Sequence, residues 1–347
     1  MDRGDDGLAF LLKYENVAWY EDGRVRILDR RVYPARTEYV TCLSHGEVAA
    51  AIRDMVTQSA GPYTAAAMGM VLAAREAGAS SARDLIAYME KAARLLSNAR
   101  PTTSRKMTAV TSSCLAAARD ALDCGEDLEA AVFRRAVAQL DDRYAESSRT
   151  ARYLVDKFPD GGTVLTQCFG ETIVGTMLRE CRNRGREVKV ICAETRPYFQ
   201  GARLTASVAR EMGFDVTVIT DNMPGHTLAA KNVDVFTSAA DIICLEGHIV
   251  NKVGTFQIAL ASQYWGVPYY VTGSPDPQHP TVDTVRIEER DGEETLAAMG
   301  IRTAMEGVKG YYPAFDITPP KLCSGVVTDR GVFPPLDLGR YFEGGAE

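Results

Sequence analysis

A chain of 347 residues has room for about two domains. Its 46% hydrophobic and 24% charged residues are the composition of a globular protein with a sizeable core. The net charge of −7 is spread along the chain, so no basic footprint for nucleic acid exists and an anionic ligand needs local cations.

The first ten residues, "MDRGDDGLAF", have neither the basic region nor the apolar stretch of a signal peptide. No run of about 18 apolar residues occurs to span a bilayer, and a cytoplasmic protein is expected. Residues 8–40 alternate apolar and polar around "YEDGRVRIL", where Asp22 and Gly23 supply the turn of a β-hairpin. In "SHGEVAAAIRDMV", Ser44 and Glu47 stand in capping-box spacing and Val48, Ala51, Ile52 and Met55 follow at helical intervals. Four further helical stretches reach to Phe158, punctuated by Gly78, Pro101 and Gly125. A hairpin plus helical domain is therefore expected over residues 1–150.

Beyond a linker just before "FPDGG", short β-rich runs alternate with helical ones. "TVLTQC", "VKVICA", "DVTVIT", "VDVFTSAADIICLE" and "PYYVTG" are the expected strands. Near-continuous apolar strands separated by helices specify a parallel sheet covered on both faces. Residues 151–347 are expected to form a doubly wound, Rossmann-like α/β domain. Eight cysteines are scattered through both regions with no Cys-x-x-Cys pair, which argues against a zinc cage or a disulfide framework and for reduced, buried thiols.

Ligands of such sheets bind beyond the carboxyl ends of the strands. The residues after the apolar runs are thus the informative ones: Cys168, Glu194-Thr195-Arg196, Thr220-Asp221-Asn222, Asp241 and Thr272-Gly273-Ser274. No Gly-x-Gly-x-x-Gly or Walker loop follows any of these strands. Cys168 precedes a helix whose N-terminal partial charge lowers a thiol's pKa; from its location alone a packing cysteine is the commoner outcome. Asp241 ends an apolar run, where burial would raise its pKa and suit it to proton transfer, although a helix cap fits equally. Arg100, before a helix, suits either an ion pair or a phosphate clamp. Gln200 precedes a helix N-terminus, which attracts anions, the plain alternative being a cap. Asn251 and Lys252 are expected to open a helix, and a lysine there opposes the helix dipole. His226 and His248 are acid–base candidates with no partner visible in sequence. The charge run "ERDGEE" at 289–294 reads as a solvated face.

The segments "AETRPYFQGARLTA", "NKVGTFQIALASQYWGVPYYV", "VRIEERDGEE" and "YYPAFDITPPKLCSGVVTDRGVFPP" resemble the signatures of the methylthioribose-1-phosphate isomerase family. Its relatives include ribose-1,5-bisphosphate isomerases and regulatory subunits of the eukaryotic initiation-factor exchange complex. The likeness runs from the hairpin around Trp19 nearly to the C-terminus. It implies Cys168 and Asp241 as the catalytic pair, Arg100 and Gln200 as phosphate ligands, Asn251 and Lys252 as holders of sugar hydroxyls, a pentose 1-phosphate substrate, a homodimer, and no metal or organic cofactor. It also implies an aldose–ketose isomerisation of the methionine-salvage kind. In that chemistry a neutral Asp241 protonates the ring oxygen and a Cys168 thiolate takes the C2 proton, with hydride transfer as the competing route.

The chain departs from the pattern in three places. Where the family reads Arg-Gly-Ala-Pro in its phosphate loop, this chain reads "TQSAGP", with no arginine around Thr57 and Gln58 and with Ser59 as the candidate contact. Gln167 and Phe169 flank the cysteine where the family has His and Asn, and Ala239 and Ile242 stand near the aspartate where it has Gly and Arg, which makes the pocket less polar. A bisphosphate isomerase and a non-catalytic sugar-phosphate- or nucleotide-binding subunit remain the alternative readings.

Overall fold

The computed structural model describes residues 3–78, 81–100 and 104–343, the side chain of Arg105 excepted. The expected break at Pro101 lies outside the described residues. The chain divides into two compact units, Met1–Ala145 and Glu146–Glu347, the division falling inside one long helix.

In the first unit a short helix α1 (Tyr14–Val17) leads into β1 (Ala18–Glu21) and β2 (Arg24–Leu28), which pair antiparallel with Glu21 opposite Arg24. The intervening Asp22 and Gly23 both have positive φ, 49° and 76°, the conformation that a two-residue hairpin turn requires. A third strand, β3 (Tyr39–Cys42), completes the sheet. Helices α2 (His45–Arg53), α3 (Gly61–Glu76), α4 (Ala82–Ser97), α5 (Ser104–Cys124) and α6 (Leu128–Val155) follow. The Ser44 hydroxyl accepts from Glu47 N at 3.2 Å and Glu47 Oε2 accepts from Leu43 N at 2.7 Å, a variant of the capping box that satisfies one first-turn amide of α2 and the amide just before its cap. Met55, expected on the helix face, falls beyond its end with φ 59°. α3 is buried almost all round, its alanines permitting close approach of its neighbours.

The second unit is built on a seven-stranded sheet. Its strands are β4 (Thr163–Gln167), β5 (Lys189–Ala193), β6 (Asp215–Ile219), β7 (Val235–Ala239), β10 (Tyr269–Thr272), β16 (Gly325–Thr328) and β17 (Gly331–Phe333). They lie in the order β17-β16-β10-β7-β4-β5-β6, all parallel except the edge strand β17. Helices α7 (Thr172–Asn183), α8 (Ala206–Glu211), α9 (Pro224–Ala230) and α10 (Thr255–Tyr264) link the strands, and α11 (Arg340–Glu343) closes the described chain. Leu165, Ile191, Phe236, Val271 and Val326 form the buried centre of the sheet, each contributing about 2 kcal/mol by burial. The mixed α/β class and the parallel sheet are as expected.

A small second sheet was not foreseen. It joins β8 (Ile242–Ile243) and β9 (Ile249–Lys252) to β15 (Phe315–Thr318), all antiparallel. The run "VDVFTSAADIICLE" is thus not one strand: it breaks at Ala240 and Asp241, between sheets. Asn251 and Lys252 do not open a helix but end β9, because Asp316 and Phe315 pair with them. Gly254, at φ 104°, then turns the chain into α10, so the dipole argument made for Lys252 does not hold. Two-residue strands β11 (Glu289–Arg290), β12 (Ala297–Ala298), β13 (Ile301–Arg302) and β14 (Tyr312–Pro313) form two short pairs, β11 with β14 and β12 with β13. All eight cysteines are free thiols, Cys124 exposed, Cys168 half-buried and the others buried.

Candidate active site at the carboxyl rim of the sheet

From β4 the chain moves outward to β5 and β6, then returns to lay β7 on the other side of β4. The connections leaving β4 and β7 therefore diverge and open a crevice beyond their carboxyl ends, the place where doubly wound sheets take ligands. Cys168 is the first residue after β4 and Asp241 the second after β7. With Thr166 opposite Thr237, the two groups leave neighbouring strands about 5 Å apart.

The rim is strained where Cys168 sits. Cys168, Glu171, Thr195 and Phe199 have φ of 62°, 53°, 64° and 57°, a region that costs a non-glycine residue roughly 1 kcal/mol or more. Hydrogen bonds hold this geometry. Cys168 N donates to Thr195 Oγ1 at 2.9 Å, and Thr195 N and Arg196 N donate to Asp221 at 2.8 and 2.7 Å. The Thr205 hydroxyl donates to the Cys168 carbonyl. Arg196 reaches over to donate to the Ala297 carbonyl at 2.8 Å. The polar loop after β5 is thus a brace for Cys168.

Gln200 stands immediately before a π-helical turn at Gly201–Thr205, with no side-chain cap bond, a distortion frequent at functional sites. A Cβ on Gly201 would stand 1.8 Å from the Ala193 carbonyl oxygen, so only glycine lets this turn pack on the end of β5. Gln200 is buried, and its Oε1 has no hydrogen-bond partner among the described residues. Such an orphaned acceptor is costly unless a ligand or water completes it.

Asn251 Nδ2 donates to Thr255 Oγ1 at 3.1 Å, and Thr255 Oγ1 lies 3.0 Å from Gln167 Oε1. Gln167, one of the family departures, therefore ties the end of β4 to the end of β9. Lys252 is buried against the Phe315 ring, Nζ 4.8 Å from its centroid. Asp316 accepts from Gly254 N at 2.6 Å and Phe256 N at 3.2 Å, capping α10; burial nonetheless pushes its carboxyl up to about 6. A cavity of about 450 Å³ opens beside these groups, walled by Arg196, Asp221, Gly254, Tyr312 and Asp316 among others. A larger cleft of 790 Å³ between Asp291 and Gly310 touches none of the candidate residues.

Two electrostatic expectations are reversed. Asp241 is exposed, not held among apolar neighbours, because it lies at the bend between sheets. Burial pushes the Cys168 thiol up to about 11, Lys252 pulling it down and Asp241 pushing it up further; the helix N-terminus, four residues on, does not prevail. A third correction concerns the run at 289–294. Glu289, Asp291 and Glu293 are exposed, but the Arg290 side chain is only 9% exposed, since alternation along β11 turns it inward.

Arg100 and Ser59 belong to the first unit. Arg100 follows α4, and the rest of its motif, residues 101–103, lies outside the described residues. Ser59 has φ 59° in the loop before α3. Beneath that loop Arg30 is fully buried and donates Nη1 to the Gln58 carbonyl at 2.7 Å. Thr57 Oγ1 and both carboxamide atoms of Gln58 are buried with no hydrogen-bond partner among the described residues. His226 is exposed on α9, and His248 Nδ1 lies 2.9 Å from Glu246 in the β8–β9 turn. Among the described residues no three His, Cys, Asp or Glu side chains converge as a metal cage, and no helix is long and apolar enough to cross a membrane.

A thiol and a carboxylate at the switch point of a doubly wound sheet, with buried cations near and no dinucleotide loop, are equipped for proton transfer on a small anion. The model of the initiation factor 2 subunit family matches residues 57–335. A methylthioribose-1-phosphate isomerase of Pelotomaculum thermopropionicum is 35% identical over 93% of this chain and 92% of its own length. Among solved structures, 5-methylthioribose 1-phosphate isomerase from Pyrococcus horikoshii OT3 superposes with a TM-score of 0.84 at 28% identity, covering 96% of this chain and 98% of that one. The translation initiation factor eIF-2B subunit delta from A. fulgidus gives 0.80 at 30% identity, over 92% and 96%. The chain belongs to the initiation factor 2 subunit family, with methylthioribose-1-phosphate isomerases among its relatives.

Proposed function

We propose that the protein is an aldose–ketose isomerase that converts 5-methylthioribose 1-phosphate, or a close 5-deoxypentose 1-phosphate, to the ketose 1-phosphate. One observation supports the reading most: Cys168 and Asp241 follow neighbouring parallel strands at the sheet's switch point.

Phosphate on the anomeric oxygen blocks spontaneous ring opening, so the enzyme has to break the ring C–O bond with the phosphate in place. An acid protonates the ring oxygen while a base takes the C2 proton, leaving an enol phosphate that tautomerises to the ketone. Cys168 and Asp241 act as this pair with one proton between them. Burial of the Cys168 thiol favours that proton on sulfur. Its transfer to Asp241 creates at once the thiolate base and the carboxylic acid. Gln200, with its orphaned acceptor, orients phosphate and ribose oxygens, and Asn251 and Lys252 hold the sugar hydroxyls. No metal or organic cofactor takes part. The protein works in the cytoplasm as a homodimer through the apolar outer face of α10, where Phe256, Leu260, Tyr264 and the adjoining Trp265 are exposed.

The test is ketose formation followed by NMR with purified protein, beside Cys168→Ser and Asp241→Asn. Loss of turnover in both variants, with folding retained, is expected; turnover equal to wild type in both would overturn the reading. A second reading, a non-catalytic sugar-phosphate-binding subunit, draws on the likeness to the A. fulgidus eIF-2B subunit. It predicts ligand-induced thermal stabilisation with no ketose formed by the wild type.

A further inference from the structure

Three buried side chains connect the neighbours of the two candidate catalytic residues. Gln167 ends β4 and precedes Cys168, while Asn251 lies in β9 beside Val250, whose carbonyl accepts from Asp241 N at 2.9 Å. Thr255, which opens α10, stands between them. Gln167, Thr255 and Asn251 are 3%, 0% and 5% exposed, so their polar atoms have to be matched by the protein or by a ligand.

The positions of the protons follow from the partners. Gln167 Nε2 stands 3.0 Å from the Val253 carbonyl and 3.5 Å from that of Lys252. Two acceptors on one side require the NH2 arm of the carboxamide there, which leaves Gln167 Oε1 facing Thr255 Oγ1 at 3.0 Å. Thr255 Oγ1 also lies 2.7 Å from the Lys252 carbonyl. Its single proton goes to one of these two acceptors, so towards Asn251 the hydroxyl can only accept. The Asn251 arm 3.1 Å away is therefore Nδ2; an oxygen there would set two acceptors against each other. Asn251 Oδ1 is left on the opposite arm, where it accepts no hydrogen bond among the described residues. An oxygen held in this way takes an O–H or N–H donor and repels a dianionic phosphate, which has no proton to give.

We propose that Gln167 and Thr255 are positioning residues that fix Asn251 as a hydrogen-bond acceptor, so that it recognises a hydroxyl of the sugar and not its phosphate. With donors on one arm and an acceptor on the other, Gln167 serves both carbonyls and the Thr255 hydroxyl at once. This deepens the isomerase reading and rests on it for the choice of a pentose 1-phosphate as ligand.

The experiment is isothermal titration calorimetry of the full chain with 5-methylthioribose 1-phosphate and its 2-deoxy and 3-deoxy analogues. It is run in a Cys168→Ser background, which keeps the parent sugar from turning over, alone and combined with Thr255→Val or Thr255→Ser. The background chain is expected to bind one analogue about tenfold more weakly than the parent. Thr255→Val keeps the shape and removes the hydroxyl that orients Asn251, and the ratio is expected to fall to about twofold; Thr255→Ser restores it. A merely structural role for Thr255 weakens all three ligands alike and leaves the ratio near tenfold, which overturns the proposal. So does a background chain that binds none of the ligands or all three equally. Should Thr255→Val fail to fold, Gln167→Met, which lacks both polar arms, is judged by the same ratio. Ketose formation by the wild type separates the two readings. Discrimination without ketose removes the isomerase and keeps the acceptor role of Asn251, whereas ketose with an unchanged ratio in Thr255→Val does the reverse.

Discussion

Leu165, Phe236 and Val271 stand in the sheet interior, fully buried, with side chains that carry no polar atom to satisfy. Beyond the ends of β4 and β5, the rim has positive-φ residues at Cys168, Thr195 and Phe199 and an orphaned acceptor at Gln200. The sheet interior is apolar and unstrained at these positions and the rim is not, which teaches that stability and chemistry occupy neighbouring parts of one sheet. Rim substitutions should then cost activity without stability, and interior ones the reverse.

The largest expected effect is at the rim. Cys168→Ala and Asp241→Asn should each lower kcat by about a thousandfold or more, with thermal midpoints near wild type by calorimetry. A loss of cooperative unfolding in either would break the contrast. In the interior, Phe236→Ala should cost about 4 kcal/mol in urea unfolding through lost burial and the cavity left behind, while the residual folded protein keeps its KM.

Asp316 sharpens the contrast because it lies between the two regimes. Its folded-state pKa, raised from 3.8 to about 6 by burial, means that the folded state favours the protonated form. Its contribution is present in full below pH 3.8 and is lost as pH rises through about 6. Asp316→Asn should therefore gain stability relative to wild type between pH 5 and 8, by on the order of 2 kcal/mol. A difference that runs the other way in pH-dependent denaturation would refute the assignment. The smallest effect is at Gln200. Gln200→Leu should raise KM about tenfold, or about 1.4 kcal/mol, and leave stability unchanged or slightly improved, since it removes an unsatisfied buried acceptor.

The sheet, the hairpin and the positions of Cys168 and Asp241 were legible because each rests on local pattern: alternation, capping, and apolar runs of strand length. What escaped had nonlocal causes. Asn251 and Lys252 read as a helix start because "NKVGTFQIAL" is apolar and helical in period; only pairing with Phe315 and Asp316, some sixty residues on, makes them a strand. Arg290 read as solvated because a two-residue strand is too short for alternation to register, and its burial depends on Tyr312 and Phe315. The surroundings of Asp241 and Cys168 were misread for the same reason. A run of sequence tells which residues end a strand, not whether the ending faces water, as at Asp241, or sits in the interior, as at the Cys168 sulfur.

The pairing of β15 with β9 also fixes when the site can exist. Cys168 and Asp241 emerge early in synthesis of the second unit, but Lys252 has no strand partner until Phe315 is made. Arg290 likewise waits for Tyr312. A chain cut before Tyr312 would therefore carry the thiol and the carboxylate with β9 lacking β15 and β11 lacking β14.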